Sequence, residues 1–261
     1  MTSVRIFFVG GQIAYRALFN WISPWLYIPT MLGSPLFQIL FFAYLGRFAG
    51  VEDDAFFVVG NAVQVCGMSC IYAMTMTIAN ERWFATLTPL LATPANRFAL
   101  FMGRALPVIA NAMVVSIFSL LVSGFLLGID LPASTWPGIV VVIFVSTFSC
   151  TGLGLVCAAA GLRIREMAVT NNILFGLLLI FTGANVPIEQ LPGWMQAISE
   201  RVPLTHGIQA AREVAAGATL GDVSGLLASE AAVGLTYTVL GYALLLVMER
   251  ESRKRASIQI A

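Results

Sequence analysis

Six stretches of this chain are continuously apolar over about the length of a bilayer crossing, and that repetition restricts the fold more than any other feature. They are Pro24–Gly46, Phe57–Ala79, Arg104–Gly128, Pro137–Ala160, Ala168–Asn185 and Leu226–Met248. A hydrocarbon core about 30 Å thick takes roughly 20 apolar residues of helix. A membrane barrel would instead alternate apolar and polar residues in segments of about ten, and these runs do not alternate. With 59% hydrophobic and 10% charged residues, the chain leaves no stretch for a soluble domain. The expected fold is all-α: a polytopic membrane protein with six transmembrane helices in one domain over residues 1–261.

The cations set the orientation. With both termini in the cytoplasm, that side holds Arg5, Arg16, Arg82, Arg97, Arg104, Arg163, Arg165, Arg250, Arg253, Lys254 and Arg255. The outer side holds only Arg47, Arg201 and Arg212. Basic residues accumulate on the cytoplasmic side of short loops, so both termini, including the tail 249–261, are placed inside. A formal net charge of +1 thus hides a polarised protein and points to no nucleic-acid partner.

The first residues do not read as a cleaved signal, because Ile6–Val9 is too short for an apolar core and no small-residue cleavage site follows. Residues 5–21 read as an interfacial amphipathic helix. Arg5, Gln12, Arg16 and Asn20 share one face, and Phe7, Ala14, Leu18 and Trp21 share the other. Such a helix lies in the headgroup plane, as a simple anchor or as a mechanical element.

Several chemistries are missing. A Walker A loop needs a lysine after its glycines, and the single lysine is Lys254 in the tail. No cofactor or metal is expected on this chain. Cys66, Cys70, Cys150 and Cys157 lie inside apolar runs, while the only histidine, His206, lies outside them, so the cysteines read as packing residues rather than ligands. Ser146, Cys150, Gly154 and Ala158 repeat at spacing four, a stripe suited to close helix contact. A secondary carrier would want a buried ionisable relay. Glu230 alone approaches that description, and near the start of its run it is expected to be solvated by the outer headgroups, so that neutralising it would leave transport largely unaffected.

Two segments fall outside this bookkeeping. In 80–97, Glu81 and Arg82 leave the second run. Trp83, Phe84, Leu87, Leu90 and Leu91 then form an apolar stripe interrupted by Pro89 and Pro94. A helix with such a face rests on lipid or fits a groove of a partner. In 186–213, Pro192 starts a helix and Pro203 breaks it, with Leu191, Trp194, Met195 and Ile198 on the apolar side. Two helices too short to cross suggest a re-entrant hairpin at the outer interface, anchored by Trp194.

With these segments in place the chain resembles the type-2 ABC export permeases, the family of actinomycete antibiotic-export permeases, nodulation lipo-oligosaccharide permeases and capsule and teichoic-acid permeases. The resemblance covers nearly the whole chain. Its most specific pieces are Glu81-Arg82, Thr86-Leu87 and Leu90-Leu91-Ala92-Thr93-Pro94, then Leu191-Pro192 through Trp194, Val202-Pro203-Leu204-Thr205 and Arg212. Ala85 and Thr88 depart from the Gly and Glu often found there.

The resemblance implies a single ABC transporter transmembrane domain that is not itself an enzyme. Two separate ABC ATPase subunits would bind ATP and Mg, and a second permease copy or related permease would complete the dimer. Residues 80–97 would be the coupling helix, with Glu81, Arg82, Trp83, Phe84, Thr86, Leu87, Leu91 and Pro94 at the ATPase. Arg163, Ile164, Arg165 and Glu166 would add a second contact. The outer hairpin would use Pro187, Pro192, Trp194, Pro203 and Arg212. The expected setting is a bacterial inner membrane. The cargo expected is a hydrophobic or amphipathic antibiotic-like molecule, with a lipid-linked saccharide or polysaccharide as the alternative and a stand-alone carrier or a membrane enzyme as competing classes.

Polar residues at membrane depth must face protein or a cavity. Asn61, Gln64, Asn171 and Asn172 therefore read first as helix-to-helix hydrogen-bonding groups, with contact along the substrate path as the second reading. Phe37, Phe41, Phe42, Phe175 and Phe181 read as packing or lipid-facing rather than as path.

Overall fold

The structure is a computed structural model and describes residues 8–12, 25, 28–50, 53–83, 97–161, 164 and 167–254. A π-helical turn, Ile28–Gly33, runs into α1 (Ser34–Ala49). There follow α2 (Asp54–Trp83), α3 (Arg97–Leu127), α4 (Trp136–Ala160), α5 (Met167–Phe181), α6 (Gly193–Ser199), α7 (Thr205–Ala215) and α8 (Ser224–Lys254). Among the described residues there is no strand. Of the interfacial helix expected over 5–21, only residues 8–12 are described, and they are helical. They approach α3 closely enough that a Cβ on Gly11 would sit 2.8 Å from the Gly103 carbonyl oxygen.

Among the described residues five helical segments are long and apolar enough to cross a membrane: Ile28–Ala49, Asp54–Met76, Met102–Leu127, Ala133–Ala160 and Ser224–Met248. The protein is therefore a multi-pass membrane protein. The expected span Ala168–Asn185 is shorter than anticipated. Its helix is Met167–Phe181, of 15 residues, or about 22 Å at roughly 1.5 Å per residue, less than the hydrocarbon thickness. The run ends because Gly183 adopts φ +76°, a conformation only glycine enters freely, and Pro187 then opens a 3₁₀ turn, Ile188–Gln190.

Helix α4 is the axis of the molecule and is buried along nearly its whole length. The small-residue stripe on it faces neighbours on two sides. A Cβ on Gly154 would lie 3.0 Å from the Cys70 carbonyl oxygen of α2, and one on Gly207 of α7 would overlap the Ser146 hydroxyl. On a third side α8 runs beside α4 at backbone contact. A Cβ on Gly234 would meet the Ser149 Cα at 2.6 Å, and one on Gly152 would meet the Gly234 carbonyl oxygen, also at 2.6 Å. Small residues permit this approach where lipid supplies no hydrophobic drive for association. All four cysteines are free and buried in this packing.

Helices α1 and α2 are antiparallel. The Arg47 guanidinium grips both carboxylate oxygens of Asp54 where they meet, with Nε at 2.7 and 2.8 Å. The start of α1, the end of α2, the start of α3, the end of α4, the start of α5 and the end of α8 consequently gather at the opposite end of the bundle.

Candidate functional site

The segment between α5 and α8 is built by its prolines. Pro187 and Pro192 both hold φ −54° in extended backbone, the first opening the 3₁₀ turn and the second opening α6. After α6 the chain tightens through 200–203, and Leu204 takes a left-handed φ of +79°. That conformation is strained for a branched side chain, and Leu204 is held in it by complete burial. Its side chain fills the notch at Gly67, where a Cβ would meet Leu204 Cδ1 at 2.9 Å.

Buried backbone outside regular helix needs its polar groups satisfied within the protein, and here α8 supplies the partner. The Glu230 carboxylate accepts the backbone N–H of Leu204 at 2.8 Å and that of Gly207 at 3.1 Å. These are first-turn donors of α7, where a helix leaves N–H groups unpaired and its dipole favours negative charge. Glu230 is 0% exposed, so the expectation that outer headgroups solvate it is wrong. Its position in the sequence is near the start of the sixth apolar run, but the hairpin turn folds over it. Ser146, Ser149 and Thr205 hydroxyls are buried close to this junction.

The other end of α7 is tied by Arg212. Its guanidinium donates to the Phe56 carbonyl from Nε at 3.3 Å and Nη2 at 3.2 Å, and to the Ala184 carbonyl at 3.0 Å. It also lies over the Phe56 ring, 3.4 Å from the centroid, a stacked cation–π geometry that guanidinium favours. Trp194 is 64% exposed on the flank of the hairpin, its ring edge-on to Phe181 with centroids 6.5 Å apart. Beyond α7 the Thr219 hydroxyl and N–H donate to Asp222, at 2.7 and 2.8 Å, and hold its carboxyl below its ordinary value.

Of the polar residues Asn61, Gln64, Asn171 and Asn172, three turn inward. Asn61 donates to the Asn185 side chain at 2.8 Å and to the Phe57 carbonyl at 3.0 Å, and receives Gln38 of α1 at 3.5 Å. Gln64 accepts the Thr182 hydroxyl at 2.7 Å, and Asn171 accepts that of Thr75 at 3.3 Å. These bonds stitch α2 to α5 and to the turn beyond it. Asn172 is different: it is exposed and takes the hydroxyl of Tyr72, forming a polar pair on the outer surface of α2 and α5. The partners Tyr72, Thr75, Thr182 and Asn185 were not legible beforehand, since nothing in a single run says which hydroxyl or amide on another helix shares its depth.

At the opposite end, Glu81, Arg82 and Trp83 form the last turn of α2. Phe84, Thr86, Leu87, Leu91 and Pro94 lie outside the described residues, as do Arg163, Arg165 and Glu166. Ile164, between the last three, is exposed. Both loops that resemblance assigns to the ATPase therefore start from the same end of the bundle.

A model of the ABC-2 type transporter family matches residues 11–215. The chain is 28% identical over 195 residues to a daunorubicin resistance ABC transporter permease protein, DrrB1, of Streptomyces coeruleorubidus, covering 70% of this chain and 66% of that one. It is 25% identical over 162 residues to a probable multidrug ABC transporter permease, YbhR, of Escherichia coli K12, covering 59% of this chain and 42% of the relative. The match thus spans just under two thirds of the first and under half of the second.

Proposed function

This chain belongs to the ABC-2 type transporter family, and on that premise we propose that it is the membrane-spanning subunit of an ATP-driven exporter of amphipathic, drug-like molecules. The observation that carries the reading is the family match over residues 11–215, joined to a relative named for daunorubicin resistance. Its setting is a bacterial inner membrane, with both termini in the cytoplasm, as the arginine distribution favours. ATP and Mg sit on two partner ATPases, which grip the 80–97 segment and the 163–166 loop at one end of the bundle. A second permease copy, or a related permease, faces this one. The exposed Tyr72–Asn172 pair is the polar surface on α2 and α5 best placed to meet that partner or the cargo, since an amide left in hydrocarbon seeks a partner.

In this reading the α6–α7 segment is a re-entrant hairpin. Depth supports it. Ser146, which touches Gly207, lies ten residues beyond Trp136, about 15 Å along α4 at roughly 1.5 Å per residue. That is near half the thickness of a bilayer core of about 30 Å. Helix α5 and the hairpin together then complete the sixth crossing that α5 alone is too short to make. ATP binding drives export by favouring one arrangement of the assembly over another. The test is purification of the tagged protein in mild detergent. Stoichiometric recovery of a Walker-motif ATPase is the expected result; a chain that repeatedly comes alone and well folded would overturn the assignment.

A further inference from the structure

Below the hairpin turn the helices leave a cavity of about 260 Å³, bounded by Leu177, Leu178 and Phe181 of α5, Ile198 and Val202 of the hairpin, and Tyr237 of α8. Leu177 and Ile198 are exposed, so the cavity opens on the flank of the bundle. The one polar group in this wall is the Tyr237 hydroxyl, which donates to the Arg201 carbonyl at 3.3 Å. Tyr237 lies thirteen residues beyond Ser224, about 20 Å along α8 at roughly 1.5 Å per residue, near the middle of the apolar span Ser224–Met248. That bond sets the Arg201 backbone beside the Tyr237 hydroxyl, and the Arg201 side chain is exposed. Its guanidinium donates to the Ala197 carbonyl, and among the described residues no carboxylate forms an ion pair with it.

We propose that this cleft is a binding site for an anionic phospholipid, with an acyl chain in the cavity and the headgroup phosphate drawn to Arg201. The proposal rests on the re-entrant reading of the hairpin, which sets the depth of Arg201. A cation at that depth is costly unless it finds a counter-charge or pulls water and headgroups inward. The cavity argues for a chain rather than for a drug. It falls below the roughly 300–1,000 Å³ of sites for drug-sized ligands and lacks the several polar groups that orient one. The guanidinium also repels a cationic cargo. Lipid hydrocarbon is as apolar as these walls, so filling the cavity gives no selectivity. Selectivity comes from the charge-assisted hydrogen bonds of guanidinium to phosphate.

Cross-linking tests this directly. The protein is reconstituted with phosphatidylglycerol or phosphatidylethanolamine carrying a diazirine at the end of the acyl chain, and labelled peptides are mapped by mass spectrometry. Phosphatidylglycerol is expected to label 174–181 and 198–203 about fivefold more than phosphatidylethanolamine, in line with roughly 1 kcal/mol per basic residue near an anionic headgroup. Leu177→Trp fills the cavity and should remove most of that labelling; Arg201→Gln, at an exposed position, should keep it but equalise the two lipids. Equal labelling by both lipids in the unsubstituted protein would reduce the occupant to an annular chain and overturn the proposal. Labelling indifferent to Leu177→Trp would do the same. Displacement by a micromolar cationic amphiphilic drug would make the cleft a cargo site instead. Depth is measured separately with a spin label on Arg201→Cys. A label as accessible to a nickel chelate as one at Ala133 would sink the re-entrant reading, whereas a deep label with unselective cross-linking would sink the lipid site alone.

Discussion

The Glu230 carboxylate on α8 receives the backbone N–H of Gly207 at 3.1 Å, and with the N–H of Leu204 this fastens the tip of the hairpin to the last span. The contact gives the one carboxylate within an apolar run a mechanical role. It reverses what position in the sequence suggests, because a side chain that satisfies two buried donors is not dispensable.

Glu230→Gln should therefore impair export. Its amide oxygen can accept from one of the two N–H groups, but its NH₂ then faces the other donor. Hydrogen bonds to a charged group contribute about 1.5–3 kcal/mol each, so exchange of the Leu204 and Gly207 amides should quicken roughly ten- to hundredfold. Hydrogen–deuterium exchange on the purified protein reads this. A carrier using Glu230 as a proton relay would lose transport with those amides unchanged.

Arg212→Lys should destabilise the protein although the charge is kept. An ammonium can satisfy the Phe56 or the Ala184 carbonyl but cannot also stack on the Phe56 ring. A loss of about 1–3 kcal/mol lowers the melting temperature in detergent by several degrees. An unshifted transition would show that the outer anchor of α7 lies elsewhere.

Gly234→Ala tests the α4–α8 contact. The added methyl would meet the Ser149 Cα at 2.6 Å, so backbone must move, at a cost of about 1–3 kcal/mol. Gly176→Ala is the control: a Cβ there meets nothing within 4 Å, and the helix gains roughly 0.5–1 kcal/mol of propensity. Opposite shifts in thermal stability are expected, and equal shifts would argue against close packing.

Trp83→Glu combined with Leu87→Glu should abolish co-purification of the ATPase while leaving membrane insertion and detergent elution unchanged. Carboxylates cannot replace apolar anchors in a groove without leaving buried charge unpaired. Undiminished recovery of the ATPase would remove the 80–97 segment from the interface.

The spans are readable because an apolar run long enough to cross a bilayer has one compact way to satisfy its backbone. Where the reading fails, the cause is tertiary. Thr182-Gly183-Ala184-Asn185 is small and apolar enough to pass as more helix, yet Gly183 turns the chain out and Asn185 meets Asn61. Glu230 sits six residues into α8, and only the packing of the 204–207 turn against it makes that position a buried one. The prolines of the hairpin announced its breaks, but not the carboxylate on α8 that its turn fastens to.

The backbone contact between α4 and α8, with glycines at Gly152 and Gly234, leaves those helices no slack for sliding past one another. With the hairpin fastened to the pair, all three form one stiff beam. Helix α5, with Val169, Ile173, Leu177 and Ile180 exposed along it, is the loosely braced strut of the frame. In the proposed transport cycle, a stroke delivered at the common end of the bundle would be absorbed at the joint between strut and beam.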